Sequence, residues 1–137
     1  MNMNSRNIVL TPINLVSKTL TRNGKKAKAD YIREKEYMQN GNIGKWDDSK
    51  HNNSNIGEYF AFVHQKENRV EIYNILNIVL STERPDYWDI EEHQQRNVLY
   101  LSPMITQITW DEMKNIIGYK ETFFLRGTQR SKKSITV

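Results

Sequence analysis

The chain has 137 residues, of which 37% are hydrophobic and 26% charged, and it contains no cysteine. Its length fits a single domain, 1–137, with one buried core and with flexible ends expected at 1–6 and 132–137. The lack of cysteine excludes disulfides, thiolate metal sites and thiol nucleophiles. We find no signal-peptide pattern and no apolar run of the roughly 20 residues that a membrane helix needs, so we expect a soluble, intracellular protein that binds no membrane.

The net charge of +4 is concentrated in two segments of the chain. Residues 18–28 carry five basic side chains and no acid, and residues 126–137 carry four, again without an acid. The rest of the chain holds 11 basic and 16 acidic residues, so it is mildly acidic. Two basic segments on an acidic body favour a polyanionic partner. The alternative is that both segments are solvated loop and tail.

The N-terminal third of the chain predicts a strand, a helix and a long polar loop. The apolar run 8–10 predicts a strand that stops at Pro12, and residues 25–39 are good helix formers followed by a stop signal. Residues 42–56 are polar and contain glycine, which predicts a loop that carries Trp46. An indole in such a loop either stacks on a ligand or folds back to cap the core, and both interpretations stay open.

The strongest structural signal is a β-hairpin at 57–81. Residues 58–64 and 69–80 are rich in Val, Ile, Phe and Tyr, and the polar turn 65–68 separates them. Apolar side chains fall on both faces of the first run, as in a strand that is covered on both sides. We therefore expect the core of the domain at this hairpin.

The segment that follows predicts a turn, a short helix and two strands. A proline fixes the turn at 84–86, and Trp88 follows in a loop. Residues 89–95 begin with a capping-box pattern, which predicts a short helix. Residues 97–101 and 104–108 predict strands.

The best-marked helix of the chain is 109–118. A capping box lies at 109–112, apolar residues recur at helical spacing, and Gly118 supplies the stop, so Trp110 is expected in the core. Residues 121–126 predict a last strand before the basic tail. Together these elements predict an α+β domain with a small curved β-sheet or β-barrel of about five to six strands and two or three flanking helices.

The sequence carries no recognisable catalytic or metal-binding pattern. His51, His64 and His93 lack metal-ligand spacing, and there is neither a glycine-rich phosphate loop nor a serine nucleophile elbow. We expect a non-enzymatic protein without metal or cofactor, in which His64, at the end of a strand, is structural. An enzyme would need an acidic or histidine cluster that only the fold brings together.

The central and closing strands carry a pattern of their own. Residues 54–62, 69–72 and 75–79 form two apolar strands behind a Gly-Glu step, and the chain closes on the Arg-rich sequence FFLRGTQRSKKSI. This order resembles the PUA-like superfamily, particularly its EVE and ASCH branches, across residues 42–135. Glu58 stands where those domains usually have Asp.

The resemblance implies a small β-barrel with flanking helices that binds DNA or RNA. Related domains hold a modified or flipped base in a pocket lined by aromatic side chains and backbone amides, while basic side chains meet phosphates. The alternative, from a different class, is a protein-interaction module that binds through a strand edge or the Trp46 loop. The predicted nucleic-acid-binding residues are Trp46, Ser54, Asn55, Trp88, Arg126, Arg130, Lys132, Lys133, Lys25 and Lys26.

Overall fold

The computed structural model describes residues 5–12, 44–47, 54–81 and 96–137. Within these ranges it has seven strands and one α-helix: β1 (Ile8–Pro12), β2 (Gly44–Asp47), β3 (Tyr59–His64), β4 (Arg69–Ser81), β5 (Arg96–Leu101), β6 (Thr106–Ile108), α1 (Trp110–Ile117) and β7 (Gln129–Arg130). The predicted helices at 25–39 and 89–95 and the predicted turn at 84–86 lie outside the described residues.

The described strands form one mixed sheet that is open rather than closed into a barrel. Its order is β2-β5-β4-β3-β1-β7, and β6 pairs with β4 in addition. Only β1 and β3 run parallel; the other pairs are antiparallel. The expectation of a sheet-dominated α+β fold is therefore confirmed, and of the two predicted forms, curved sheet and barrel, the described part has the sheet.

The predicted hairpin is the centre of this sheet. β3 pairs with β4 from Tyr59↔Asn74 to His64↔Arg69, and a 3₁₀ turn at Gln65–Glu67 connects them. Asn68 closes the turn in the left-handed conformation with φ 52°, which asparagine tolerates better than most residues.

The long strand β4 supports two successive partners along one edge. Its C-terminal half pairs with β5 and its N-terminal half with β6, while the backbone between them stays bonded through Ser102 N to Asn74 O at 3.0 Å and Ile105 N to Ile72 O at 2.8 Å. The register shifts beside Leu76, between Ile75 and Asn77. Such a bulge bends a strand and increases its twist, so it allows one 13-residue strand to serve both partners.

Both faces of β3 are buried, as its sequence predicts, and so are both faces of β4 up to Ile75. Strand alternation sends one set of side chains towards α1 and the other set to the opposite face. The first face packs in one core with α1, and its members are Ile8, Leu10, Tyr59, Ala61, Val63, Val70, Ile72, Trp110, Met113, Ile117, Leu125 and Ile135. The second face is the aromatic cluster, formed by Val9, Trp46, Phe60, Phe62, Tyr73, Ile75, Leu99 and Leu101.

The helix α1 begins and ends where its caps predict. Thr109 Oγ1 accepts a hydrogen bond from Glu112 N at 3.0 Å, and Gly118 takes φ 93° behind the last turn. Trp110 is buried as expected, whereas Ile116 is exposed and Lys114 takes the buried position. Position 114 lies one turn after 110 on the same face. No helix in the described ranges is long and apolar enough to cross a membrane.

The prediction of a loop throughout 42–56 is wrong at 44–47, which form the edge strand β2 against β5. Trp46 pairs with Leu99, and its side chain is only 7% exposed. Its ring centroid lies 4.9 Å from that of Phe62 and 6.3 Å from that of Phe60. A four-residue strand with one core side chain has no alternation that a sequence reading could detect.

The predicted strand at 121–126 is also wrong, because the last strand lies further on, at β7. Around Leu125 a side chain replaces the missing strand partner. Gln65 Nε2 donates to Leu125 O at 2.9 Å, and Leu125 N donates to Gln65 Oε1 at 2.8 Å. The backbone at Leu125 is therefore satisfied and held without a ladder.

The two ends of the described chain pair with each other. Arg6 N donates to Ile135 O and Ile135 N to Arg6 O, both at 2.8 Å, and Ile135 is buried in the first core. These residues lie in the segments 1–6 and 132–137 for which flexibility is expected. The bridge fixes at least one residue of each segment against the sheet.

We predict that Trp46→Ala lowers the free energy of unfolding by about 3–5 kcal/mol, because it removes a buried aromatic ring from the core. Chemical denaturation followed by circular dichroism measures this loss. Ile56→Ala, which truncates an exposed side chain, is the control and should change stability by no more than about 0.5 kcal/mol. A Trp46→Ala variant as stable as the wild type would contradict the placement of Trp46.

Candidate functional site

The structure separates the predicted binding residues into three groups. Lys25, Lys26 and Trp88 lie outside the described residues. Trp46 is packed in the aromatic cluster, so it is not the loop side chain that stacking on a base would require. The remaining predicted residues, which lie in the turn before β3 and along the C-terminal segment, are Ser54, Asn55, Arg126, Arg130, Lys132 and Lys133.

Glu58 brings two of these predicted residues together. Its Oε1 accepts from Asn55 N at 2.6 Å and from Arg130 Nη2 at 3.2 Å, and its Oε2 lies 2.9 Å from Arg130 Nε. The Glu58 side chain is 10% exposed and that of Arg130 is 33% exposed. Charge-assisted bonds of this kind are strong, so the carboxylate ties the 54–57 turn to β7. The resemblance supplied these positions, but the role of Glu58 between them was not predicted.

Ser54 adds a buried polar group beside this arrangement. The residue is 1% exposed, and its Oγ has no hydrogen-bond partner. A buried hydroxyl left unsatisfied costs about 1–3 kcal/mol, so such a group calls for an explanation. Ser54 directly precedes Asn55, so it lies in the same turn that Glu58 holds.

Several described basic side chains are already engaged within the fold. Arg6 donates to Asn74 and lies over the Tyr59 ring, and Lys114 donates to Glu121 O and pairs with Asp111. A charge held by a carboxylate or carbonyl stabilises the fold and has less to offer a partner. The basic residues engaged in this way are Arg6, Arg69, Lys114 and Arg130.

Three basic side chains of the C-terminal segment are exposed and unpaired. Within the described ranges, Arg126, Lys132 and Lys133 form no ion pair, and no acid occurs between 122 and 137. Lys66 and Lys120 are exposed as well, but each directly precedes a glutamate. We call residues 126–133 the C-terminal basic segment.

The fold holds the C-terminal basic segment in place. Its strand β7 pairs with β1, and Ser131 N donates to Ile8 O at 2.8 Å. The Ser131 hydroxyl then accepts from Lys133 N at 3.0 Å, which closes a small side-chain-to-backbone turn. Lys132 and Lys133 are therefore presented from a fixed backbone.

An exposed aromatic ring lies just before this segment. Phe124 is 60% exposed. On one side Phe123 stacks on Tyr119 with ring centroids 4.1 Å apart, and on the other Leu125 is buried. Sequence reasoning assigned the pair of phenylalanines to a strand and missed the exposed ring. Neighbouring residues of an extended chain point to opposite sides. Two adjacent phenylalanines in such a chain therefore predict that one ring packs inward and the other points outward.

The fold also assembles a buried charged cluster that the sequence did not reveal. His64 Nε2 lies 2.7 Å from Glu71 Oε1, and Arg69 Nη1 lies 2.8 Å from the same oxygen. The register pairs His64 with Arg69 and Phe62 with Glu71, so the histidine and the carboxylate are diagonal neighbours across β3 and β4. Predicting this contact requires the register and not only the strands.

The burial of this cluster favours a structural role. The side chains of His64 and Glu71 are 3% and 4% exposed, which leaves a substrate no access to their shared hydrogen bond. Arg69 is also bound by Glu67. Among the described residues there is no group of three or more His, Asp or Glu side chains that could hold a metal ion.

No family model, curated protein or solved structure matches this chain. Its function is therefore argued from the placement of its own charged and aromatic side chains.

We predict that Glu71→Ala lowers the free energy of unfolding by about 3–5 kcal/mol, because it leaves Arg69 and His64 without their shared buried acceptor. Glu67→Ala is the matched control: Glu67 also binds Arg69, but its side chain is 51% exposed, so its loss should cost at most about 1 kcal/mol. Denaturant unfolding of both variants measures the difference. Equal losses would show that the cluster is not a buried structural unit.

Proposed function

We propose that this protein is a non-enzymatic nucleic-acid-binding domain of PUA-like type, and that the C-terminal basic segment contacts the phosphate backbone. The proposal rests on a difference between two sets of basic side chains, those bound within the fold and those exposed to solvent. Those engaged within the fold have carboxylate, amide or carbonyl partners. Arg126, Lys132 and Lys133 are exposed, form no ion pair within the described ranges, and lie in a stretch of sequence, 122–137, without an acid.

The geometry of the segment suits an extended polyanion. Arg126 and Lys132 are six residues apart, so their Cα atoms are separated by at most about 22 Å. Both are exposed, and β7 anchors the chain between them. A strand of nucleic acid carries one phosphate per about 3.4 Å of duplex axis, so these side chains can contact several phosphates of one strand. Because the backbone is already ordered, binding has less conformational entropy to overcome.

The corner formed by Ser54, Asn55, Glu58 and Arg130 supports a finer proposal, a subsite for the edge of a modified or flipped base. The exposed Asn55 side chain can offer hydrogen bonds, and Glu58 holds the Arg130 guanidinium, which is 33% exposed, in place. Ser54 Oγ is buried beside them and faces no solvent. Trp46 is not part of this subsite, because its ring is in the core. Stacking by Trp88 and phosphate contacts by Lys25 and Lys26 remain predictions.

The rival hypothesis is a protein-interaction module. For its Trp46-loop form the Trp46 ring itself is not exposed, since Trp46 lies in a strand and is buried. Its strand-edge form would use β2 or β7, the two strands at the ends of the described sheet, to bind a strand of a partner protein. Recovery of a stable protein partner from the source cell after nuclease treatment would favour that form over the nucleic-acid proposal.

We predict that the protein binds oligonucleotides with strong salt dependence, and that Lys132→Ala/Lys133→Ala weakens binding and flattens the salt slope. Each lost phosphate contact reduces the slope of log K against log salt by about 0.7 for a single strand and about 0.9 for duplex DNA. Fluorescence anisotropy with labelled single-stranded and duplex DNA and RNA, at several salt concentrations, measures both quantities.

The matched control is Lys66→Ala/Lys120→Ala, which removes the same charge from two exposed lysines outside the segment. This control should keep the wild-type slope. An equal change in both variants would show that net charge, and not the C-terminal basic segment, determines binding. A wild-type protein that binds no oligonucleotide at low salt would refute the proposed function itself.

A further inference from the structure

The exposed ring of Phe124 bears on which form of nucleic acid the protein takes. A phenylalanine normally packs inward, as Phe123 does here against Tyr119 and Trp110. Phe124 instead remains 60% exposed. Its exposure is specific to this position, because Leu125, the next apolar residue, is buried.

The backbone on both sides of Phe124 is held by contacts that do not involve its ring. Phe123 N donates to Lys120 O at 2.9 Å. Gln65 binds both the N–H and the C=O of Leu125, at 2.8 and 2.9 Å. The ring is therefore presented from a fixed stretch of chain, and its substitution leaves these contacts in place.

The surroundings of Phe124 fit a nucleotide better than an apolar protein surface. The other exposed side chains of 120–130 are polar or charged, so within this stretch of chain the ring is the one exposed apolar group. Arg126 lies two residues further on, with its Cα at most about 7 Å away, and forms no ion pair within the described residues. One aromatic face beside one unpaired guanidinium matches a base and a phosphate of the same strand.

We propose that Phe124 stacks on an unpaired base while Arg126 contacts a phosphate, so that the partner is single-stranded nucleic acid or an unpaired segment of a folded one. This inference rests on the proposed function. Bases in a duplex are stacked on each other and offer no free face, whereas a single strand exposes them. The ring therefore contributes to binding only where bases are unpaired.

The test compares Phe124→Ala, Phe124→Leu and Phe124→Trp for binding to single-stranded and duplex oligonucleotides of the same sequence. Stacking of one base is worth about 1–3 kcal/mol, so Phe124→Ala should weaken single-strand binding about 5- to 150-fold and leave duplex binding within about twofold. Phe124→Leu keeps an apolar side chain but removes the ring, and it should lose a similar factor. Phe124→Trp should retain binding and show quenched fluorescence on the single strand.

The control is Leu76→Ala, which truncates an exposed apolar side chain in the bulge of β4 and should leave both affinities unchanged. Unfolding curves should show that every variant is folded. Single-strand binding unchanged in Phe124→Ala but weakened in Lys132→Ala/Lys133→Ala would overturn the stacking inference and leave the proposed function standing. Equal losses on single strand and duplex, or loss of a nuclease-resistant protein partner instead, would also overturn it. Absence of any binding by the wild type would refute both.

Discussion

β3 and the N-terminal part of β4, up to Ile75, are buried on both faces, and this constraint determines where charge can be placed in the molecule. On these buried faces an ionised side chain needs a partner, since an unpaired buried charge costs several kcal/mol. Glu58 and Glu71 meet this requirement through Arg130 and through His64 with Arg69. Strand alternation puts both carboxylates on the face of the aromatic cluster.

The same constraint separates structural cations from those that can bind a partner. Arg69 and Arg130 are engaged by carboxylates at the sheet. The other cations of the C-terminal basic segment, Arg126, Lys132 and Lys133, are exposed and form no ion pair within the described residues. The segment nevertheless has a defined conformation, because β7 and the Ser131 turn fix its backbone. Order in the backbone together with unpaired charge in the side chains is what makes the segment a candidate interface.

The parts of the fold that could be predicted are those with local signals. The hairpin, β1, β5 and the capped helix each carry alternation, helical spacing or cap residues within a few positions. β2 has too few residues for such a signal, so 44–47 were assigned to a loop, although the burial of Trp46 in the core was one of the two interpretations of its indole. The predicted strand at 121–126 failed for another reason: the Gln65 side chain, 60 residues away, provides the hydrogen bonds that a neighbouring strand would have made.

The candidate site was harder to predict than the fold, because its residues are brought together from distant parts of the sequence. The pairing of Glu58 with Arg130 joins residues 72 positions apart, and only the resemblance, not any spacing, indicated that Asn55 and Arg130 belong together. The unpaired state of Arg126, Lys132 and Lys133 follows from where the carboxylates lie in three dimensions. The basic composition of the segment was visible in the sequence, but its separation from the structural cations was not.

The central claim is that one contiguous surface, residues 124–133, meets the nucleic acid. The most direct measurement is a titration of the ¹⁵N-labelled protein with a short single-stranded oligonucleotide, followed by amide chemical shifts. We expect the amides of 124–133 to shift together while those of β2 and β5, at the far side of the sheet, stay in place. Shifts confined to β2 and β5, with 124–133 unchanged, would contradict the account.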